Sequence, residues 1–356
     1  MNILFINSAR TWGGTEKWVR MAAESLSASH KVSLVYRTPV IGNNFSIRKY
    51  QLPCVSHIDP YTLLRIVTII KKDTIDILVP TKRKDYVLAG LAAKICNVRN
   101  VLRLGIVREL KIPLAHKLIY HTLTDGIIVN SQKIKHSLLK SRFMNENNIR
   151  VIHNGLDTKK IDHLSAPPAA TSGDFIITAM GTLTYRKGFD FLIRSFSRFL
   201  KLFPNADARL VIIGDGPLRE KLLTLAENLS IGNHVTFTGF RQNPYPLLAA
   251  SDVFALTSTN EGISNALLEA MYLGNAPVST YAGGSQEVIS DEINGFMVNY
   301  GNENKLAETF ARLFSNHDLT QKTALNAKER VKQQFSLPAM TKGISTFLEE
   351  ILQEKT

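Results

Sequence analysis

The sequence is poor in cysteine and tryptophan, with two of each, and it has no apolar run near the ~20 residues that span a bilayer. Two cysteines, Cys54 and Cys96, exclude a disulfide-stapled scaffold, and their apolar or strand-edge settings fit small core residues of a reducing compartment. No basic segment precedes the apolar run of residues 1–8, so they read as a first strand and not as a signal peptide. There is no G-x-S-x-G elbow and no Walker A loop, which argues against serine hydrolases and P-loop enzymes. Acid is scarce in one half. Residues 1–165 hold 26 Lys+Arg against 11 Asp+Glu, and residues 166–356 hold 17 against 19, so the net charge of +13 comes from the first half. A one-sided positive field points to a polyanionic partner. Aromatics are not interleaved with the basic residues and no zinc or helix-turn-helix spacing occurs, so nucleic acid is not expected. An anionic membrane surface fits better. The expected setting is cytoplasmic, peripheral on the inner face of the cytoplasmic membrane.

At 356 residues with 44% apolar content, the chain is long enough for two cores. Strand and helix patterns alternate. Strands are expected over 2–7, 31–36, 75–79, 101–104, 127–129 and 149–152, with helices between them, including 63–70, 87–95 and a basic amphipathic helix over 113–123. That helix carries Leu114, Leu118, Ile119 and Leu123 with Lys111, His116 and Lys117, a face that suits anionic lipid. The segment 165–173, with Pro167 and Pro168, reads as a linker. A second series of strands follows over 176–180, 210–213, 235–238, 251–256 and 277–280. The expected fold class is α/β, two Rossmann-like doubly wound domains facing across a cleft. They would comprise residues 1–165 and 166–337, with a last helix near 338–356 available to pack back on the first domain.

In such sheets ligands meet the carboxyl ends of the strands. In the first domain those ends carry Gly13-Gly14-Thr15-Glu16, then Lys82 and Arg83, then Arg103. The glycine pair is not a G-x-G-x-x-G fingerprint, and Tyr36-Arg37 stands where a dinucleotide fold has its acidic residue. An NAD enzyme is therefore not expected. Arg103, in an apolar strand end, needs a partner.

In the second domain the strands end at Gly181, Gly214 and Gly239, and a basic turn with Arg186 and Lys187 follows the first. The stretch 257–287 is the densest. Glu261 and Gly262 close a loop, a helix starts near Ser264, and Glu269 falls in its second turn. A glycine loop running into a helix start presents backbone amides to an anionic or hydroxyl-rich ligand. Cations and helix dipoles stabilise phosphate charge, and carboxylates accept hydrogen bonds from hydroxyls. Together these residues describe a nucleotide-sugar site. No Asp-x-Asp pair, the usual metal handle of such sites, occurs, so no metal or other cofactor is expected.

On these residues the chain resembles the family 4 glycosyltransferases of GT-B fold over nearly its whole length. The Glu-x7-Glu element is Glu261 to Glu269, followed by Gly274, Pro277-Val278, Gly283-Gly284 and Glu287. Supporting matches are Gly13-Gly14-Thr15-Glu16, Asn130-Ser131, Asn154-Gly155-Leu156-Asp157, Lys187-Gly188 and Gly214-Asp215-Gly216. The resemblance implies retaining transfer of a sugar from a nucleotide diphosphate to a glycan or glycolipid acceptor of the cell envelope, such as lipopolysaccharide. It implies that Glu269 holds the ribose and that amides around Ile263, Ser264, Asn265, Ala266 and Leu267 hold the diphosphate and sugar. Glu261 would touch the sugar's hydroxyls, Lys187 with Arg186 would neutralise the leaving diphosphate, and Phe240 and Arg241 would lie beside the base. Gly13 and Gly14 would pass close to the phosphates, and Lys82, Arg83 and Arg103 would face the acceptor. The chain departs from the family twice. Thr182 follows Gly181 where an arginine is frequent, and Arg103 to Gly105 stands near the place of a common histidine. A sugar-nucleotide epimerase and a non-catalytic sugar-nucleotide-binding protein are the competing readings.

Overall fold

The structure, a computed structural model, describes residues 1–107, 110, 112–165 and 175–354. Apart from Ser165, the expected linker over 165–173 lies outside those residues. The chain divides into two compact units: Met1–Gly155 joined by the chain from Leu337 onward, and Leu156–Ser336.

The first unit runs β1 (Asn2–Asn7), α1 (Gly14–Leu26), β2 (Lys31–Tyr36), α2 (Pro39–Gly42), β3 (Arg48–Gln51), α3 (Pro60–Lys72), β4 (Ile77–Pro80), α4 (Arg83–Cys96), β5 (Arg99–Leu104), α5 (Pro113–Lys117), β6 (Gly126–Val129), α6 (Gln132–Leu139) and β7 (Ile149–Val151). The second unit runs α7 (Thr158–Leu164), β8 (Phe175–Met180), α8 (Phe189–Leu202), β9 (Ala208–Ile213), α9 (Arg219–Asn228), β10 (Val235–Gly239), α10 (Tyr245–Ala249), β11 (Val253–Leu256), α11 (Asn265–Leu273), β12 (Ala276–Thr280), α12 (Ser285–Val288), β13 (Phe296–Val298), α13 (Glu303–Ser315) and α14 (His317–Gln334). A final helix, α15 (Leu337–Gln353), belongs to the first unit.

The first sheet has the order β3-β2-β1-β4-β5-β6-β7 and the second β10-β9-β8-β11-β12-β13, and every strand pair is parallel. Each order reverses once, between β1 and β4 and between β8 and β11. These are two doubly wound, Rossmann-like sheets, and a crevice opens at the carboxyl ends of the strands where the order reverses. The central strands are apolar without alternation, as strands covered on both faces must be: β4, β6 and β11 are buried throughout. β3, Arg-Lys-Tyr-Gln, forms the exposed edge of the first sheet.

The helices begin where side chains take up free amide protons. Asp59, Ser131, Ser264, Asn302 and Asn316 each cap the helix that follows. α11 stops at Gly274, whose left-handed φ of 94° lets its N–H reach back to the carbonyls of Ala270 and Met271. The expected helix over 113–123 is α5 followed by one π-helical turn, Leu118–Thr122. Its burial differs from the expectation. His116, Tyr120 and Leu123 face inward, and Leu114, Lys117 and Leu118 face solvent. Tyr120 packs edge-on to both Tyr86 and His116, which fixes that inward face.

α15 lays Met340, Ile344, Phe347, Leu348 and Ile351 against Trp18, Val19 and Ala22. Each such burial contributes about 1.5–3 kcal/mol, so the first unit depends on this late helix. Arg150 holds the other flank, pairing with Glu350 at 2.5 Å and stacking over Phe347. The boundary between units falls at Gly155–Leu156, ahead of residue 165, because Leu156 and Ile161 pack into the second unit's core.

Candidate functional site

At the reversal of the second sheet, β8 is followed by Gly181 and β11 by Thr257. Gly214, just after β9, has φ of +140°, and a Cβ there would lie 2.0 Å from the Gly181 carbonyl oxygen. Only glycine lets these strand ends close up. Past Gly181 the chain makes a 3-10 turn, Tyr185–Lys187, and Gly188 then takes φ of +64° against the Thr257 carbonyl. The basic turn is pinned to the loop after β11: Thr259 N donates to Arg186 O at 2.8 Å and Thr257 Oγ1 to Lys187 O at 3.1 Å.

That pinning brings two cations onto one carboxylate. Lys187 Nζ lies 2.5 Å and Arg186 Nη1 3.0 Å from Glu261 Oε1, which also accepts from Ser258 Oγ at 3.0 Å. Arg186 Nη1 further donates to Asn260 O at 2.7 Å. Burial pushes the Glu261 carboxyl up. Lys187 and Arg186, with hydrogen bonds from Lys187 and Ser258, outweigh it and hold the group below the usual range. Its contribution to stability is therefore present above the ordinary carboxylate pKa and is lost as pH falls through the depressed value.

The second glycine turn supports the first. Gly283 has φ of +59°, a Cβ there would fall 1.6 Å from the Glu261 carbonyl oxygen, and Gly284 N donates to Gly262 O at 3.1 Å. Ile263 and Leu267 send their side chains into the core. Ser264 Oγ caps Leu267 N at 3.4 Å, Asn265 is buried and Ala266 is half-buried. Glu269 is buried in the second turn of α11. Phe240 and Arg241 are exposed beyond β10, and the Gly239 carbonyl accepts from Gly214 N at 3.0 Å. The structure thus gathers Gly181, Arg186, Lys187, Gly214, Glu261 and Gly262 at one strand-end crevice.

The first unit has its own polar cluster at the β1/β4 reversal, centred on a residue to which the sequence analysis gave no role. Buried Glu16, in the first turn of α1, takes Lys82 Nζ on Oε1 at 2.6 Å and Asn7 Nδ2 at 3.2 Å. Asn7 Nδ2 also donates to Thr81 Oγ1 at 3.0 Å, and a Cβ on Gly13 would lie 3.3 Å from Glu16 Oε2. Gly14 opens the helix. The signal was an acidic residue two positions after a glycine pair, in the half of the chain that is short of acid. Arg103 is buried with its guanidinium 4.5 Å over the Trp18 ring, and burial lowers its pKa to about 10 against the pull of Tyr86 and Glu16. Arg83 is exposed and begins α4.

Asp85, fully buried on α4, accepts from Ser8 N at 2.9 Å. Burial raises its pKa to about 6, against opposing hydrogen bonds from Ser8 and the charges of Lys84 and Lys82. A raised carboxyl favours the fold below its unfolded pKa of about 4, and that benefit disappears as pH rises through about 6. Relative to the wild type, Asp85→Asn should therefore gain stability between pH 4 and 7, by about 2–3 kcal/mol, and level off above. Thermal melts at stepped pH read this directly, and a gap that does not widen over that range would refute it.

The comparisons agree with this architecture. The model of the family Glycosyltransferase Family 4 matches residues 12–160 and that of Glycosyl transferases group 1 matches residues 161–330. The chain is 31% identical to the lipopolysaccharide core biosynthesis glycosyltransferase LpsE of Rhizobium meliloti, over 63% of this chain and 64% of that protein. It is 29% identical to the N-acetylgalactosamine-N,N'-diacetylbacillosaminyl-diphospho-undecaprenol 4-alpha-N-acetylgalactosaminyltransferase of Campylobacter jejuni, over 58% of this chain and 56% of that one. The match thus spans under two thirds of either relative. The crystal structure of Anabaena HepE in complex with UDP and glucose superposes with a TM-score of 0.85 at 20% identity, covering 98% of this chain and 100% of that one. With two parallel doubly wound sheets, two adjoining family matches that together run from residue 12 to 330, and the loop-to-helix stretch from Glu261 to Glu269 at a strand-end crevice, the chain belongs to the family 4 glycosyltransferases of GT-B fold.

Proposed function

We propose that this protein transfers a sugar, with retention, from a nucleoside-diphosphate sugar to an envelope glycan or glycolipid, in lipopolysaccharide or related surface polysaccharide synthesis. The observation that carries the reading is the Lys187–Arg186–Glu261 constellation at the β8/β11 reversal. Charge develops on the leaving diphosphate as the glycosidic bond breaks, and a fixed cation pair at a strand-end crevice stabilises that charge. Glu261, whose Oε1 is already held by both cations, keeps its remaining lone pairs for sugar hydroxyls. Glu269 takes the ribose, the amides from Gly262 to Leu267 take the phosphates, and Phe240 and Arg241 flank the base. With two cations opposite the leaving group, the reaction runs without a metal. Departing phosphate oxygen accepts the incoming hydroxyl's proton on the same face, and catalysis rests on positioning.

The names of two relatives, a lipopolysaccharide core enzyme and a diphospho-undecaprenol glycosyltransferase, support an envelope acceptor. The basic excess of residues 1–165 and the exposed Arg83 support an anionic acceptor and attachment to the cytoplasmic face of a membrane, whereas Lys82, paired with Glu16, and Arg103, buried over Trp18, are held within the unit. Among the described residues no helix is long and apolar enough to cross one.

A thermal-shift panel of nucleotides and nucleotide sugars tests the donor site, since a ligand at 100 times its dissociation constant adds about 2.7 kcal/mol of stability. Slow release of free nucleotide from the stabilising donor supports a transferase; an isomerised donor or binding without turnover opposes one. Glu269→Asp should weaken donor binding about tenfold, because the shortened carboxylate loses a charged hydrogen bond to the ribose. An unchanged thermal shift in that variant removes the ribose assignment.

A further inference from the structure

Among the described residues of the first unit, four of the nine exposed large apolar side chains fall within one short stretch, apart from Val40, Ile95 and the Ile112, Leu114 and Leu118 group around α5. Val55, Ile58, Tyr61 and Leu64 are 64%, 76%, 59% and 67% exposed, and all four lie in the loop after β3 and the first turns of α3. Large apolar residues scattered singly on a surface need no explanation, whereas four within ten residues make a patch. The loop is held in place. Asp59 accepts from Val55 N at 3.0 Å, Thr62 N at 3.0 Å and Thr62 Oγ1 at 2.7 Å, and Ser56 Oγ donates to the Ile58 carbonyl.

Cations border the patch. Because the sheet is parallel, Arg10 after β1, Arg37 after β2 and Lys84 after β4 emerge at the same carboxyl edge as this loop. Arg37 Nη1 reaches the carbonyl of Cys54, the residue before Val55, at 3.4 Å. Burial and then the charge of Arg37 press the Lys84 pKa down against the opposing pull of Asp85, and Arg10 adds to the lowering. Among the described residues none of these three cations has an ion-pair partner. Along the outer face of α3 follow Arg65, Lys71 and Lys72, and no exposed residue from 53 to 72 is acidic.

We infer that this edge is a membrane-docking surface: Val55, Ile58, Tyr61 and Leu64 enter the interfacial layer of an anionic bilayer while Arg10, Arg37 and Lys84 take lipid phosphates. A fixed apolar loop flanked by cations without ion-pair partners is what anionic lipid complements. A second copy of this chain is disfavoured as the occupant, since it would set Arg65, Lys71 and Lys72 against like charge. Tyr61 suits the boundary, with an apolar ring and a polar tip. The inference gives a location to the membrane attachment proposed above, at the sheet edge that also carries Lys82 and Arg83.

Flotation of the full chain with phosphatidylglycerol–phosphatidylcholine vesicles, and with phosphatidylcholine alone, tests it. The protein should float with the anionic vesicles only, and high salt should release it. Ile58→Asp with Leu64→Asp, and separately Arg37→Gln, should each lower binding by about tenfold or more. Leu325→Asp, an equally exposed apolar site on α14, should leave binding unchanged. These are surface changes, so melting temperatures should stay near that of the wild type. Equal flotation of all variants overturns the inference. So does a concentration-dependent dimer that the aspartates dissolve, or stabilisation by inorganic phosphate through Arg37 without vesicle binding. Donor turnover in solution is a separate readout: if it persists while flotation fails, the docking surface falls and glycosyl transfer stands.

Discussion

Lys187→Ala should slow release of nucleotide from the donor by about 100-fold, a loss of about 3 kcal/mol of transition-state stabilisation. The ammonium is mostly buried and lies 2.5 Å from Glu261 Oε1, so nothing mobile can take its place. Removing one member of a buried pair also strands the other, at a cost of up to about 3–5 kcal/mol. Arg186, still 3.0 Å from the same oxygen, should keep the loss of stability toward or below the lower end. Without Lys187 the Glu261 carboxyl also loses its strongest counter-charge, its pKa rises, and acid destabilisation sets in at higher pH than in the wild type. A double variant, Lys187→Met with Glu261→Gln, separates the two effects. It leaves no buried charge to strand, so melting temperature should recover while turnover does not. Near wild-type turnover in Lys187→Ala would remove the leaving-group role altogether.

Gly283→Ala should be the most damaging single methyl in the second unit, costing about 4 kcal/mol or more. Placing a side chain at a left-handed φ costs about 1–2 kcal/mol by itself. Here the new Cβ would also fall 1.6 Å from the Glu261 carbonyl oxygen, and backbone cannot rotate away as a side-chain tip can. The loop bearing Glu261 would have to move, so nucleotide binding should fail together with stability. Gly301→Ala is the control, because its φ of +87° carries the same conformational penalty with nothing within 4 Å of the new methyl. Equal denaturation midpoints for the two variants would mean that the close approach of the two glycine turns is not what holds the loop.

The fold was readable where burial is two-sided. The apolar runs of β1, β4, β6 and β11 and the glycines at or just past the ends of β8, β9 and β10 appear in a single sequence because each is a local requirement. β3 was not readable, since an edge strand of Arg-Lys-Tyr-Gln has no apolar signature. The π-turn after α5 was not readable either, because its outward Leu118 continues the helical period of Leu114 while the wider turn carries Tyr120 and Leu123 inward. In the second unit the sequence supplied Lys187 and Glu261 as separate candidates. Their contact joins positions 74 residues apart, and nothing local announces it. Glu16 illustrates the same limit: its place beside a glycine pair was visible, but the grip on Lys82 and Asn7 is tertiary.

The return of α15 to the first unit sets an order of assembly on the ribosome. Trp18, Val19 and Ala22 leave the exit tunnel early, and even after Gly155 is made the helix that covers them still waits for the roughly 180 residues of Leu156–Ser336. At ordinary elongation rates that interval is roughly 10–40 s. The second unit, contiguous in sequence, can complete its core during this wait, while the first remains an open apolar surface. The nascent first unit is therefore the species most in need of chaperone protection, and chains halted short of Leu337 are the ones that quality control should meet.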